Sequence, residues 1–186
     1  MSILKPVGDE EVVFSGKHIE LVRQDMSDGT KQVTCEWGQR APGVRVLIRD
    51  DEGKILLTRE HRYEQDGFDY RLPGGKVADS LEEWHQLEKD GRVDEAAAEK
   101  AVAEAREEAG VEVDGVELIE VVPEGATFKW DLHYFEAKAH TIGEQALEEG
   151  ESITTGWYTP DEVAEMMRNR QISEGRTVYI LAPLVI

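Results

Sequence analysis

A change of periodicity constrains this chain more than any other feature. Up to Leu72 apolar residues alternate in short runs; Pro73-Gly74-Gly75 stops that pattern; from Asp94 to Ala109 the chain is an alanine- and glutamate-rich helical run. Strands therefore precede a glycine turn, and an acidic helix follows it. The alternation at Val12 and Phe14, at Ile19, Leu21 and Arg23, and at Val33, Cys35 and Trp37 predicts short strands joined by turns at Ser15-Gly16 and Ser27-Asp28-Gly29. Gly43 to Arg49 and Lys54 to Arg59 form a further pair around Asp50-Asp51-Glu52-Gly53, a sequence suited to a hairpin turn. Leu81, Trp84 and Leu87 recur at threes, which predicts a helix up to Gly91 ahead of the acidic one. Gly110 is expected to close the acidic helix in the left-handed conformation.

Val111 to Val122, Leu132 to Ala137 and Ile153 to Tyr158 read as strands again. Thr159-Pro160-Asp161-Glu162 combines a capping threonine, a first-turn proline and a capping-box glutamate, so a last helix is expected to about Arg170, burying Val163, Met166 and Met167. With 186 residues and no repeat or linker, the chain is expected to form one α+β domain, or one domain plus a small extension.

Charge narrows the function classes. Twenty-one basic against 40 acidic residues leave −19, and no basic stripe is visible, which argues against nucleic acid and anionic membranes as partners. An anionic substrate would need a bridging cation. Cys35 is the only cysteine, so neither an intrachain disulfide nor a thiolate zinc cluster can form. With no signal-like start and no long apolar run, the expected location is the cytoplasm.

The chemistry concentrates on the acidic helix. Glu104, Glu107 and Glu108 stand at i, i+3 and i+4, on one side of a helix, where three carboxylates can serve a hard divalent cation such as Mg²⁺. On the triplet alone a solvated acidic face stays open as the alternative. Arg59, Arg62 and Arg71 are the candidate cations for substrate phosphates, because guanidinium forks match phosphate oxygens; surface ion pairs are their alternative. Trp37, Phe68, Tyr70 and Trp130 are candidates for base stacking or for the core. His61, His85 and His133 lack metal-ligand spacing.

Gly75, Glu95 and Ala103-Glu104-Ala105-Arg106-Glu107-Glu108-Ala109-Gly110-Val111 together resemble the box of the Nudix hydrolases, G-x5-E-x7-R-E-U-x-E-E-x-G-U with U apolar. The seven-residue spacing from Glu95 to Ala103 fits. Two departures stand out: 19 residues rather than five separate Gly75 from Glu95, and Ala103 replaces the arginine that helps to orient the glutamates. The first reads as a helical insertion at about 79–93, which a surface loop tolerates at modest entropic cost. Outside the box, Arg59-Glu60-His61-Arg62 and Tyr70-Arg71-Leu72-Pro73-Gly74-Gly75-Lys76-Val77 are similar to the ADP-ribose (ADP-sugar) pyrophosphatase branch.

That resemblance implies a Nudix fold at 41–186, a mixed β-sheet sandwiched between helices, with an N-terminal antiparallel strand extension at 1–40 that takes part in a homodimer. It implies a Mg²⁺ cofactor, with Mn²⁺ as the alternative ion, held by Glu104, Glu107, Glu108, Glu151 and the carbonyl of Gly74. It also implies that Glu149, or a helix glutamate such as Glu107, takes a proton from water. The implied substrate is a nucleotide sugar, first ADP-ribose or an ADP-sugar, cleaved to AMP and a sugar phosphate. A pyrophosphatase for nucleoside triphosphates or GDP-sugars, and a catalytically degenerate binding or regulatory module, are the alternatives.

The acidic excess has two open explanations, a salty cytoplasm or plain solubility. Under the first, self-repulsion is screened at Debye lengths of about 3 Å near 1 M salt, and the melting temperature should climb from dilute buffer to molar KCl at fixed Mg²⁺. A flat or falling melting temperature removes that explanation.

Overall fold

The computed structural model describes residues 3–63, 66–147 and 150–185. Its strands are β1 (Lys5–Ser15), β2 (Ile19–Ser27), β3 (Gln32–Arg40), β4 (Gly43–Arg49), β5 (Ile55–Arg62), β6 (Gly67–Arg71), β7 (Val111–Val113), β8 (Glu117–Glu124), β9 (Phe128–Ile142) and β10 (Ile153–Tyr158). The helices are α1 (Leu81–Asp90), α2 (Val93–Glu107), α3 (Pro160–Arg168) and α4 (Gly175–Val185).

One mixed sheet runs in the order β1-β2-β3-β9-β4-β5-β10, with β6 beside β5 and β7 and β8 beside β9. β4 and β9 lie parallel at its centre, from Gly43 opposite Leu132 to Arg49 opposite Lys138. The N-terminal meander β1-β2-β3 is antiparallel and joins this sheet where β3 meets β9 at Gly38–Phe128 and Gln39–Lys129. Gly38 is needed there, because a Cβ would collide with the Phe128 ring.

Strand alternation sorts the core onto the two faces of the sheet. Val44, Val46, Ile48, Leu56, Phe135 and Ala137 pack against Ala97, Ala101, Ala105 and Ala109 of the α2 segment. The alternate residues Leu47, Ile55, Leu57, Leu132 and Tyr134 pack against Val163 and Met166 of α3 and Ile180 and Leu181 of α4. The alanine stripe at fours lets α2 lie close to the sheet, which brings its backbone and its glutamates close to the strand ends. The result is the α+β sandwich that the sequence resemblance implies.

The segment at 79–93 is helical. Ser80 caps α1 by accepting the Glu83 N–H, and Gly91 closes it at φ 67°. α1 buries Leu81 and Trp84 against Ala41 and Ala78, a small core separate from the two main ones. It also touches the N-terminal strands: Leu81 N–H donates to the Lys17 carbonyl at 2.9 Å, and His85 Nε2 lies 3.1 Å from Glu20 Oε1. The capping box at Thr159 and Glu162 is formed, and α3 ends at Arg168.

Two expectations need amendment. The stretch 111–122, read as one strand, is the short β7 and the separate β8, and β9 extends well beyond 132–137 in both directions. α4 was not expected. Its run Val178-Tyr179-Ile180-Leu181-Ala182 has no polar spacing to give a helical period, and Pro183 sits inside the helix. Among the described residues no helix is long and apolar enough to cross a membrane.

Candidate active site

The site is built where the glycine turn after β6 meets the acidic face of α2. Val44 N–H donates to the Gly75 carbonyl and Val46 N–H to the Pro73 carbonyl, both at 2.9 Å, so the turn lies against β4 as a short continuation of the sheet. A Cβ at Gly74 would collide with the Val44 carbonyl, and one at Gly75 with Glu104 Oε1. Only glycine therefore allows the turn to fit between β4 and α2. Gly74 N–H donates to Glu108 Oε2 at 2.8 Å, which ties the turn to the end of the helix.

A second segment closes the acidic side. Gly143 N–H donates to the Gly110 carbonyl at 2.7 Å and Ala146 N–H to the Glu107 carbonyl at 2.9 Å, while the Gln145 amide donates to the Glu108 carbonyl. These bonds satisfy carbonyls that the end of α2 leaves open. They bring the acidic loop to the helix, and Glu151 lines the same cavity of about 380 Å³ as Glu104, Glu107, Glu108 and Gly74. Glu149 lies outside the described residues.

The carboxylates are held at some electrostatic cost. Burial, with the charge of Glu104, pushes the Glu108 carboxyl up to about 8, against the opposing Gly74 N–H bond and Arg45 charge. Burial also raises Glu104, partly offset by Lys100, whose Nζ lies 2.8 Å from Glu104 Oε1 and 3.6 Å from Glu107 Oε2. Among the described residues no three His, Cys, Asp or Glu side chains converge into a ready-made metal cage. The donor set still fits a hard cation, since buried like-charged oxygens lose their mutual repulsion when a divalent ion enters. The lysine ammonium between two of them shows that the spot accepts positive charge.

The same cavity is also lined by an arginine wall that the sequence largely leaves unread. Glu174, just before α4, is buried and receives Arg45 at 2.9 Å, Arg71 at 3.3 Å, Arg176, and the Thr177 hydroxyl at 2.7 Å. Burial alone would raise Glu174, but the charges and hydrogen bonds of Arg45, Arg176 and Thr177 outweigh it and hold the carboxyl at about 2. Arg71 also pairs with Asp69 at 3.0 Å. Arg40, at the end of β3, lies over the Trp130 ring with Cζ 4.6 Å from its centroid, and Arg176 lies 5.4 Å from the same centroid. Burial and the nearby charges of Arg176 and Arg45 lower the Arg40 pKa, which is the signature of cations gathered without enough counter-charge.

Of the three arginines singled out from sequence, Arg62 and Arg71 line the cavity, Arg62 in an ion pair with Glu60 at 2.8 Å. Arg59 stacks on Phe68, Cζ 3.7 Å from the ring centroid, and is not part of the lining. Arg40, Arg45, Lys76, Lys100, Glu174 and Arg176 are additional. Arg45 carried a readable signal, a lone charge inside the apolar run Gly43-Val44-Arg45-Val46-Leu47-Ile48, and Lys100 stands at i−4 from Glu104.

A mixed sheet lies between helical layers, and one cavity is lined by carboxylates from the end of α2 together with arginines. Residues 39–177 match the NUDIX domain, and the chain belongs to that family. It is 30% identical over 148 residues to a CMP-5'-(N-acetyl-N-hydroxy-3-aminopropyl)phosphonate hydrolase of Streptomyces rubellomurinus, covering 78% of this chain and 65% of that protein. The chain thus spans just under two thirds of that relative's length. It is 25% identical over 176 residues to an ADP-ribose pyrophosphatase of Bacillus subtilis, covering 92% of this chain and 88% of that one. A crystal structure of an ADP compounds hydrolase superposes with a TM-score of 0.71 at 16% identity, over 97% of this chain and 92% of the other, a likeness of fold.

Glu174 gives a prediction with a definite sign. Its folded-state pKa, about 2, lies below the ordinary 4.5, so its ionisation stabilises the fold above about pH 4.5, and this contribution drains away as pH falls towards 2. At pH 7 Glu174→Gln should lose about 3 kcal/mol, the scale of breaking a buried ion pair. The gap between variant and wild type in urea melts should shrink between pH 4.5 and 2. A gap independent of pH would contradict the assignment of Glu174 as the wall's counter-ion.

Proposed function

We propose that the protein hydrolyses the diphosphate bond of a nucleoside diphosphate linked to another moiety, with ADP-ribose or an ADP-sugar as the first substrate to try. The observation that carries this reading is that one cleft is lined both by Glu104, Glu107, Glu108 and Glu151 and by Arg40, Arg62, Arg71 and Arg176. A diphosphate with its cation needs both signs of charge within one cavity. Two further cavities adjoin the cleft, both sharing Trp130, one reached past Arg176 towards Tyr179 and one past Arg40 towards Trp84. That arrangement suits a diphosphate with a group at each end. The names of the two relatives support the same coarse chemistry, since each describes action on a nucleotide joined to a second group.

Glu104, Glu107, Glu108 and Glu151 would hold Mg²⁺ or Mn²⁺, with the Gly74 carbonyl as a further candidate. When bound, such an ion neutralises phosphate charge and lowers the pKa of water. The chain's own part is positioning. Arg40 and Arg176 orient phosphate oxygens, and Glu174 keeps Arg45, Arg71 and Arg176 in place before substrate arrives, so little reorganisation is needed at the moment of reaction. A carboxylate accepts the proton of the attacking water, with Glu149 and Glu107 as the candidates. The acidic composition fits a cytoplasmic enzyme that does not bind nucleic acid.

Turnover of ADP-ribose, ADP-glucose, a CDP-linked compound, GDP-mannose and ATP with Mg²⁺ tests the reading, with release of a nucleoside monophosphate from a diphosphate-linked compound expected. Glu104→Gln or Glu108→Gln should lower kcat at least about 100-fold with the fold intact, because an amide is a far weaker ligand for a hard cation. Near-normal rates in both variants would reject the metal assignment, and release of pyrophosphate from ATP alone would move the substrate class.

The strands before Arg40 are also proposed to form a homodimer interface. β1 and β2 leave Val7, Val12, Val13, Phe14, Ile19 and Leu21 at least 40% exposed, and β1 is an edge strand of the sheet, of the kind that pairing covers. Light scattering should report a dimer; a monomer at micromolar concentration would exclude it.

A further inference from the structure

Lys100 is the remaining charged group on the acidic face of α2, and its role rests on the metal reading above. Its Nζ lies 2.8 Å from Glu104 Oε1 and 3.6 Å from Glu107 Oε2, and its side chain is largely covered at 27% exposure. Exposed i, i+4 pairs on helices are worth only a few tenths of a kcal/mol. This pair is different, because Glu104 is desolvated, its side chain 8% exposed, and Oε1 is the oxygen that packs on Gly75. Position 103, from which a long cationic side chain would reach Glu107 at i+4, is alanine. The neighbouring Arg106 faces solvent, its side chain 58% exposed, and reaches only Glu107, at 3.3 Å. Among the described residues of α2, Lys100 therefore supplies the positive charge to Glu104.

We propose that Lys100 is the built-in counter-cation of this cluster: it holds Glu104 and Glu107 facing the cleft and competes with a divalent ion for Glu104. An ammonium and a divalent ion at the same carboxylate repel each other, so loading requires the lysine to withdraw from Oε1. Its flexible four-carbon stem permits that, and the cleft it lines would offer substrate phosphate as another partner. Lys100 is thus a positioning residue that also sets how tightly the site takes its ion.

The test uses the full chain without substrate. Lys100→Met keeps the stem and removes the charge. Calorimetric Mn²⁺ binding should tighten about tenfold, while the melting temperature in EDTA falls because Glu104 and Glu107 lose their partner. Lys100→Arg should keep the wild-type melting temperature in EDTA. In Lys100→Met with Ala103→Arg, the new guanidinium should restore part of it through Glu107. Unchanged or weaker Mn²⁺ binding by Lys100→Met overturns the proposal, and Lys100→Gln gives the same comparison if the methionine variant does not fold. A wild type that binds no Mn²⁺ removes the metal reading and this one with it; a wild type that binds Mn²⁺ as tightly as Lys100→Met and Lys100→Gln removes this one alone.

Discussion

The contact between the Gly74-Gly75 turn and the acidic face of α2 is the constraint on which the rest depends. It brings a buried carboxylate, Glu104, against backbone that has no room for a Cβ, and it spends one N–H of the turn on Glu108. For that contact to form, α2 must lie close to the sheet, and the stripe Ala97, Ala101, Ala105 permits it because methyl groups fill little depth. The turn must also be fixed on its other side, which Val44 and Val46 achieve through the Gly75 and Pro73 carbonyls. A bulkier stripe on α2 or a looser turn would separate the carboxylates from the strand ends where the arginines stand.

Electrostatics decides how a chain of net charge −19 can present a positive wall. Overall charge acts at long range and is screened, whereas the wall is assembled from residues whose charges are largely removed from water. Glu174 makes it possible: one buried carboxylate neutralises part of the charge of Arg45, Arg71 and Arg176 and leaves the remainder facing the cleft. Without it, three guanidiniums in so small a volume would repel one another and pay desolvation with no return. The acids opposite are arranged on the same principle with the signs reversed, Lys100 serving Glu104 and Glu107.

Much of this was legible in the sequence where period and local chemistry agree. The acidic helix, the hairpin at Asp50 to Gly53, the capping box at Thr159 and the strand at Ile153 to Tyr158 each rest on short-range rules, and each is present. Glu104, Glu107 and Glu108, read from helical spacing, and Glu151, implied by the family resemblance, line one cavity. What escaped depends on contacts distant in sequence. Arg45 and Glu174 are 129 residues apart, and nothing in the local sequence of either names the other. α4 lacks a polar period to read because its exposed positions Tyr179 and Leu184 are as apolar as the buried Ile180 and Leu181. The break between β7 and β8 is a property of how each pairs with the long β9, and periodicity over 111–122 does not register it.

The two segments that depart from the simplest form of the family pattern also meet in space. The insertion helix α1 packs on Ala41 and Ala78, receives the Lys17 carbonyl at its first turn, and places His85 against Glu20 of β2. The N-terminal strands are thereby held against the core on a second side as well as through the brief β3–β9 pairing. Arg40 sits where these contacts converge, immediately before Ala41, and its guanidinium is laid over Trp130 at the edge of the cleft. An arginine beside other cations keeps such a position only if its backbone is fixed from outside, since the charges themselves favour its departure into water. α1 and the N-terminal strands supply that fixing, so segments outside α2 determine part of the cavity that α2 lines.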